Sequence, residues 1–435
     1  MAANGVLRAP ISTAEKNIPQ KRWSTDVWST DVIKRIGLRA FEQANIFRRP
    51  AHYKIILRDL FGRVSQVHSD RQHLQAAMDW LCRAQDVTRC GGVSGGYFFK
   101  RGWMPPYPET TGYIIPTFLR CASLYNEEVY LERALKMGDW EIDIQLSSGA
   151  VRGGMGLREY PIVFNTGQVI LGWTALYQAT QISRFMEAAT RAAEWLLSIQ
   201  DRDGKWSKHT YMSRPHAYHT RVAWALIQLF ACTGDEKYKT AAQRQISWTI
   251  DQATENGWIG QMGFNLEDPP STHTIAYTLR GLLETSSLLD PAIAQEIVCI
   301  VQKAGVSLIA QYESRRQRAN APSEEYLPAT FSRGWGSEDC YSCLTGNAQL
   351  AIVFLKLYHL NRDPQFSDTA LRLIQQTLAT QSITDIHPGI KGAVAGSYPI
   401  WGQYVPYAYL NWATKFLVDA LVLKQEMPDG LDKKC

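Results

Sequence analysis

The sequence has no stretch that approaches 18 uninterrupted apolar residues, and its opening Met1-Ala-Ala-Asn-Gly-Val-Leu-Arg-Ala-Pro10 holds no apolar run of secretory type. The expectation is a cytoplasmic protein, peripheral to a membrane at most. Cysteine is too scattered to staple the fold: the eight thiols, at 82, 90, 121, 232, 299, 340, 343 and 435, fall mostly in apolar helical segments, where a thiol packs as a small hydrophobe. Cys340 and Cys343 form a lone Cys-x-x-Cys without the second ligand pair of a structural zinc site, so neither metal nor cofactor is expected. A large excess of one charge is also missing, since +5 over 435 residues is too mild a bias to argue for nucleic acid. What is plentiful is apolar material, 45% of the chain against 20% charged, which excludes disorder for most of it.

A chain of this length ordinarily divides into two or three domains. An internal repeat of roughly 55 to 60 residues argues for one instead. A helical segment ending in an aromatic residue and a glutamine recurs as DWLCRAQ at 79–85, DWEIDIQ at 139–145, EWLLSIQ at 194–200 and SWTIDQ at 247–252. Degenerate copies at 305–311 and 375–381 complete six. Each is followed by a long, glycine-bearing loop and then by a second helix that opens on small or polar residues: TTGY at 110, NTGQV at 165, YHTRVA at 218, THTIAY at 272, LTGNAQ at 344 and PYAYLNW at 406. In 221–230 and 347–358 apolar residues nearly surround the helix axis, as in an inner helix, whereas 183–200 alternates charged and apolar positions, as in an outer one. The pattern predicts an all-α (α/α)6 toroid over 69–428, with helices near 72–85, 112–125, 129–146, 166–180, 183–200, 217–233, 235–252, 272–288, 291–311, 344–360, 365–381 and 406–425. Short turns with N-cap chemistry, such as Thr233-Gly-Asp-Glu and Asn361-Arg-Asp-Pro, then occupy one rim, and the long loops occupy the other. Function belongs at the long-loop rim, where inner-helix N-termini converge and favour an anionic ligand.

The string W-L-x-x-x-Q-D-x-D-G-x-W at 195–206 resembles the QW repeat of terpene cyclases, but the D-x-D-D and D-D-x-x-D acid motifs of those enzymes are absent, as is the Cys, Cys-His zinc set of lanthionine cyclases. YPETTGYIIPTFL at 107–119, FNTGQV at 164–169, HTRVAWAL at 219–226, THTIAYTLRGL at 272–282 and CLTGNAQ at 343–349 are similar to prokaryotic proteins of polysaccharide and glycan assembly, over roughly residues 75–425. Together with the layout, this resembles the six-hairpin toroids of carbohydrate enzymes. The resemblance implies an oligo- or polysaccharide ligand without naming a reaction.

The inner-helix starts are rich in His, Tyr, Asn and Arg and poor in carboxylates. That mixture suits proton abstraction at C5 of a uronic acid, as in uronate epimerases and lyases: Asn, His or Arg neutralises the sugar carboxylate and acidifies the adjacent C–H, which Tyr or His deprotonates. His219, His273, Tyr277 and Tyr409 are the catalytic candidates, while Tyr107, Glu109, Asn165, Gln168, Tyr218, Arg221, Trp335, Asn347, Gln349 and Asn411 are candidates for binding substrate. Each has a plainer explanation in capping or wall packing, and the recurring Thr-Gly at 111, 166 and 345 reads as close helix packing. Trp103, Trp206, Trp258, Trp335 and Trp401 in the long loops offer a sugar platform or simply tuck back onto the ring. Among the rim carboxylates Glu109, Glu267, Asp268, Glu338 and Asp339, the pair Glu109 and Asp339 would serve a glycoside hydrolase if about 5 to 10 Å apart. A non-catalytic glycan-binding scaffold is the third possibility.

Residues 1–22 read as a disordered arm, 429–435 as a tail, and 23–68 as a basic amphipathic extension in which Lys34, Arg35, Arg39, Arg48, Arg49, Lys54, Arg58 and Arg63 alternate with Ile33, Ile36, Phe41, Ile46, Ile55 and Leu60. Such a segment either buttresses the ring or docks on a membrane surface or protein partner.

Overall fold

The computed structural model describes residues 46–47, 49–62, 68–265, 267–319 and 322–427, so the arm 1–22, most of the extension 23–68 and the tail 429–435 lie outside the described residues. A first helix, α1 (Pro50–Leu60), precedes the ring. Six outer helices follow, α2 (Asp70–Asp86), α4 (Glu128–Asp143), α6 (Ser183–Ile199), α8 (Glu236–Ile250), α10 (Pro291–Gln317) and α12 (Pro364–Thr380). They alternate with inner helices α3 (Pro108–Tyr125), α5 (Val163–Thr180), α7 (Thr220–Thr233), α9 (Thr272–Ser286), α11 (Leu344–Asn361) and α13 (Asn411–Gln425). Each inner helix packs on the next and α13 returns to α3, so the chain is an all-α toroid of six hairpins.

The two helix classes differ as their sequences require. Residues 163–174 of α5 and 344–355 of α11 are buried all round, whereas α6 buries one stripe, Phe185, Ala188, Ala189, Ala192, Ala193 and Leu196. Inner helices approach closely where glycine permits it. A Cβ on Gly112 would stand 2.6 Å from Val169 Cα, and one on Gly346 would stand 2.9 Å from the Thr272 carbonyl carbon, so these Thr-Gly pairs serve packing. At four short turns the residue after the inner helix takes the left-handed conformation and closes it by donating its N–H four residues back: Asn126 to Ala122, Gln181 to Tyr177, Gly234 to Phe230 and Arg362 to Tyr358.

The repeated glutamine has a specific task. Gln145 Nε2 donates to Gly149 O in its own loop (2.8 Å) and to Ala188 O of the next outer helix (3.0 Å). Gln85 and Gln200 make the same two bonds, and Gln381 donates to Gly392 O and, across the seam of the ring, to His73 O. The glycine bonded in this way needs both a positive φ and bare backbone: a Cβ on Gly149 (φ 89°) would lie 2.4 Å from Arg191 O, and one on Gly392 (φ 87°) would lie 2.0 Å from Ala76 O. In these four copies the motif is therefore a staple between neighbouring outer helices, and the last of them closes the circle; Gln252 instead donates to Trp248 O of its own helix. The copy at 305–311 lacks the glycine, and there α10 runs on to Gln317.

By length and composition α10 is the one described helix apolar enough to cross a membrane; in the fold it turns Ile297, Ile300, Val301, Ala304 and Leu308 inward and exposes Glu296 and Lys303. Strands are short and join long loops to one another. β1 (Gly96–Phe98) pairs antiparallel with β2 (Gly102–Trp103) and with β7 (Ala408–Leu410), Tyr97 facing Tyr409; β3 (Arg152–Gly153) pairs with β4 (Arg158–Pro161), and β5 (Ser342–Cys343) with β6 (Ser397–Tyr398).

Of the basic extension, α1 lies against these loops, where Asp59 accepts from Ile400 N (2.8 Å), Arg58 donates to Thr380 O (2.8 Å) and His52 meets Tyr97 Oη (3.1 Å). Two of its cations, Arg49 and Arg58, are thus engaged within the protein, Arg49 through Tyr97 Oη and His387.

Candidate active site

The long-loop rim holds a cavity of about 390 Å³ whose floor is the first turns of the inner helices and whose walls are loops. Glu109 enters from α3, Asn165 from α5, and His273 and Tyr277 from successive turns of α9; Tyr107 and Tyr218 stand just before α3 and α7. Spacing explains the convergence: side chains four apart on a helix share a face, so His273 and Tyr277 (ring centroids 4.2 Å) and Glu109 and Tyr113 descend together toward the ring axis.

The remaining wall is aromatic. Phe164 packs on Tyr218 (5.2 Å) and Tyr277 (5.1 Å), Tyr211 on Phe264 (5.3 Å), and Trp412 on Tyr107 (6.3 Å), while Trp412 Nε1 donates to Tyr404 Oη (3.1 Å). The β3–β4 hairpin adds Gly154, Met155 and Tyr160. Among the described lining residues Glu109 is the one carboxylate, and no Lys or Arg joins it.

Glu109 Oε2 accepts from Tyr107 Oη at 2.5 Å. Burial raises its carboxyl from 4.5 to about 7, against the opposing pull of the Tyr107 hydroxyl and of Arg221 beneath. Burial, with Arg221 adding to it, lowers His273 from 6.5 to about 3, so the ring is neutral at physiological pH. Gln349 Nε2 lies 2.7 Å from His273 Nδ1, and with the amide donating in this orientation the proton of the neutral imidazole sits on Nε2. Burial holds Tyr277 far above the ordinary phenol, and its hydroxyl donates to Tyr113 Oη at 3.4 Å. The cavity thus combines a carboxyl poised near neutrality, a neutral imidazole, phenolic hydroxyls and stacking surfaces.

Of the expected site residues, Tyr107, Glu109, Asn165, Tyr218, His273 and Tyr277 share this cavity. The expectation that His219, Arg221, His273, Tyr277, Asn347 and Tyr409 open onto one pocket is corrected by the helical phase of several of them. His219 is enclosed by Phe164, Trp206, His216 and Tyr218, and neither ring nitrogen has a partner among the described residues. Tyr409 faces α1 from β7, where Arg58 and Asp59 are its charged neighbours. Asn347 bonds Ser342, and Asn411 bonds Ser94 O and Thr110 Oγ1 between elements. Gln349 touches the site only through His273. Arg221 lies under the floor with its guanidinium 4.7 Å from the Tyr277 ring, and its Nε donates to Gln168 Oε1 (2.8 Å).

Trp335 is buried against Trp258 and bonded to Asn256 O, away from the cavity. The hydrolase pair also separates: Asp339 lines a different cavity beside Arg315 and accepts from Thr330 N and Oγ1, both at 2.7 Å. Cys343 is buried at the start of α11 and accepts from Gly346 N, while Cys340 is exposed. Sequence reasoning missed Tyr113, one turn below Glu109, Phe164 beside Asn165, and the loop residues Tyr160, Tyr211, Phe264 and Tyr404. The four-residue helical offset pointed to the first; nothing local marks the loop residues.

Comparison with known proteins adds a sequence match and a set of folds. Residues 147–273 match the β-L-arabinofuranosidase GH127 catalytic domain, a segment that carries Asn165, Tyr218 and His273 but ends short of the last third of the ring. No curated protein sequence matches the chain. Similar solved structures include a cellobiose 2-epimerase from Bacillus thermoamylovorans B4167 (13% identity, 81% of this chain and 97% of that one, TM-score 0.61). A sugar epimerase from a ruminal bacterium (14%, 82% and 98%, 0.63) and an unsaturated glucuronyl hydrolase specific for heparin (13%, 82% and 97%, 0.61) are others. At these identities the likeness is one of fold.

Proposed function

We propose that this chain is a carbohydrate-active enzyme of epimerase type, which moves a proton at a sugar carbon with Glu109 as the acid–base group and His273 as the donor to the neighbouring oxygen. The observation that carries the reading is the single carboxyl in an aromatic cavity, poised near neutrality and facing a neutral imidazole whose Nε2 keeps its proton. Ionised Glu109 takes the proton from a carbon next to a carbonyl or carboxyl group. The C–H electron pair moves into the carbon–carbon bond of an enediol, and the negative charge developing on oxygen is met by the His273 Nε2–H and the Tyr277 hydroxyl. Turnover of the planar enediol in the cavity presents its other face to Glu109, which returns the proton there and gives the epimer. Loss of the group β to that carbon gives the unsaturated product of a lyase.

The finer alternative, a uronate attacked at C5, asks the cavity to neutralise a sugar carboxylate. The groups at hand are Asn165 and the tyrosine hydroxyls, because Arg221 stands behind Tyr277. The uncharged wall therefore favours a neutral saccharide with a free carbonyl, an activity of the kind named for the two epimerases of similar fold. A glycoside hydrolase is the second reading. It is favoured by the match of residues 147–273 to the GH127 catalytic domain; Glu109, outside the matched segment, would serve as a protonated general acid.

Incubation with neutral reducing oligosaccharides and with uronate glycans separates these readings by product. An epimeric sugar of unchanged chain length is expected. New reducing ends would replace the epimerase by the hydrolase, and an ultraviolet-absorbing unsaturated uronate would replace it by a lyase.

A further inference from the structure

On the opposite side of the floor, the inner helices enclose a second cavity of about 500 Å³ that opens at the short-turn rim. Its chemistry is unlike that of the first. Five cationic side chains line it against three carboxylates. At the mouth Arg120 pairs with Glu426, and both are exposed. Along the wall Arg280 bridges Glu284 (3.3 Å) and Asp419 (3.4 Å), Lys415 holds Asp419 at 2.6 Å, and Lys356 holds Glu284 at 3.1 Å. Arg221 ends the cavity beneath the Tyr277 ring.

Arg221 is the anomaly. It is 1% exposed and has no carboxylate within ion-pair distance among the described residues, and its Nη1 has no hydrogen-bond partner there. Thr174 Oγ1, on the same wall, is likewise buried without a partner. A buried guanidinium without a counter-charge is costly, and two surplus positive charges remain once each carboxylate is matched with a cation. Compensation of helix dipoles does not account for the excess: the C-termini of the inner helices do point to this rim, but Arg221 stands in the first turn of α7 and Lys415 in the second turn of α13, and the dipole effect fades within the last turn.

We propose that this cavity is a binding site for a small phosphoryl dianion, held by Arg221, Arg280, Lys356 and Lys415 with Thr174 as a further donor. Guanidinium forks match phosphate oxygens in pairs, and with Lys415 protonated the two surplus charges match a dianion. Lys415, lowered by burial to about 7, gains full protonation as the anion arrives. The site is distinct from the aromatic cavity, and Tyr113 separates the two by lining both. The inference does not depend on the reaction proposed above.

Titration calorimetry of the full chain at low ionic strength, with inorganic phosphate and with glycerol 3-phosphate, tests it. One saturable site per chain is expected, with a Kd on the order of 0.1 mM. Arg221→Met and the milder Lys356→Gln, the latter at a side chain 32% exposed, should each weaken binding by about tenfold or more. The Lys356 variant carries the test should the Arg221 variant not fold. Absence of saturable heat up to about 10 mM with either probe, or equal affinity in wild type and Lys356→Gln, would overturn the proposal.

Discussion

Replacing Glu109 by Gln keeps the shape of the side chain and removes its titration. In the folded chain the carboxyl stays protonated to about pH 7, whereas in the unfolded chain it ionises near the ordinary 4.5, so between those values the native state binds more protons and stability falls as pH rises. A shift of that size corresponds to about 3 kcal/mol. Glu109 is only partly buried and faces the cavity, so solvent screening reduces the figure to about 1–2 kcal/mol. Chemical denaturation of wild type and Glu109→Gln at pH 5 and pH 8 reads the effect as a difference in which all other titrating groups cancel. The variant should gain on the wild type from pH 5 to pH 8 by about 1–2 kcal/mol and stay ahead above pH 8. In the same protein the rate should fall by about 10²–10⁴, and the wild-type rate should climb with pH and level off above about 7. A stability difference that does not widen between the two pH values, or an active Glu109→Gln protein, would refute the reasoning.

The two histidines should now part company: His273→Ala loses about a hundredfold or more in rate, whereas His219→Ala, which empties an aromatic cage behind the wall, costs about 2 kcal/mol in denaturation and leaves the rate within a few-fold. Asp339→Ala removes two acceptor bonds to Thr330 and should cost about 1–2 kcal/mol without changing the product or rate, as a product assay beside a melting curve will read. Asp59→Ala removes the ion pair with the half-buried Arg58 and frees the buried Ile400 N–H, so a loss of about 2 kcal/mol is expected, seen as earlier proteolysis of α1. Gly346→Ala places a methyl group against the Thr272 backbone and should cost about 1–3 kcal/mol in thermal unfolding.

The ring was legible because each of its devices is local. The glutamine that ends an outer helix, the glycine after it and the polar start of the inner helix all recur at one period, and the structure gives each a mechanical reason. Where copies degenerate, boundaries shift: α10 runs past residue 311 to Gln317, and α13 begins at Asn411 and not at 406, since 408–410 joins the β1 sheet. The site was legible only to the precision of helical phase. Inner-helix starts identified the right turn, which brought Glu109, Asn165 and His273 together, but a helix fully buried on all sides offers no polarity contrast to say which face meets the cavity. Arg221, Gln168 and Asn347 therefore belong to interhelical contacts instead. From sequence Glu109 is a candidate for binding substrate or for a hydrolase pair with Asp339, and neither its burial nor its bond to Tyr107 is visible there, because both are products of the loop fold. Tyr160, Tyr211, Phe264 and Tyr404 reach the cavity from irregular loops, which no periodicity describes.

The most direct measurement is isotope exchange. The protein is incubated in D₂O with the saccharide that it converts, and the recovered sugar is read by mass spectrometry and proton NMR. Proton transfer through Glu109 predicts one deuterium at the carbon beside the carbonyl or carboxyl group, in product and in recovered substrate, and no incorporation with Glu109→Gln. A converted sugar free of carbon-bound deuterium, or full incorporation by Glu109→Gln, would contradict it.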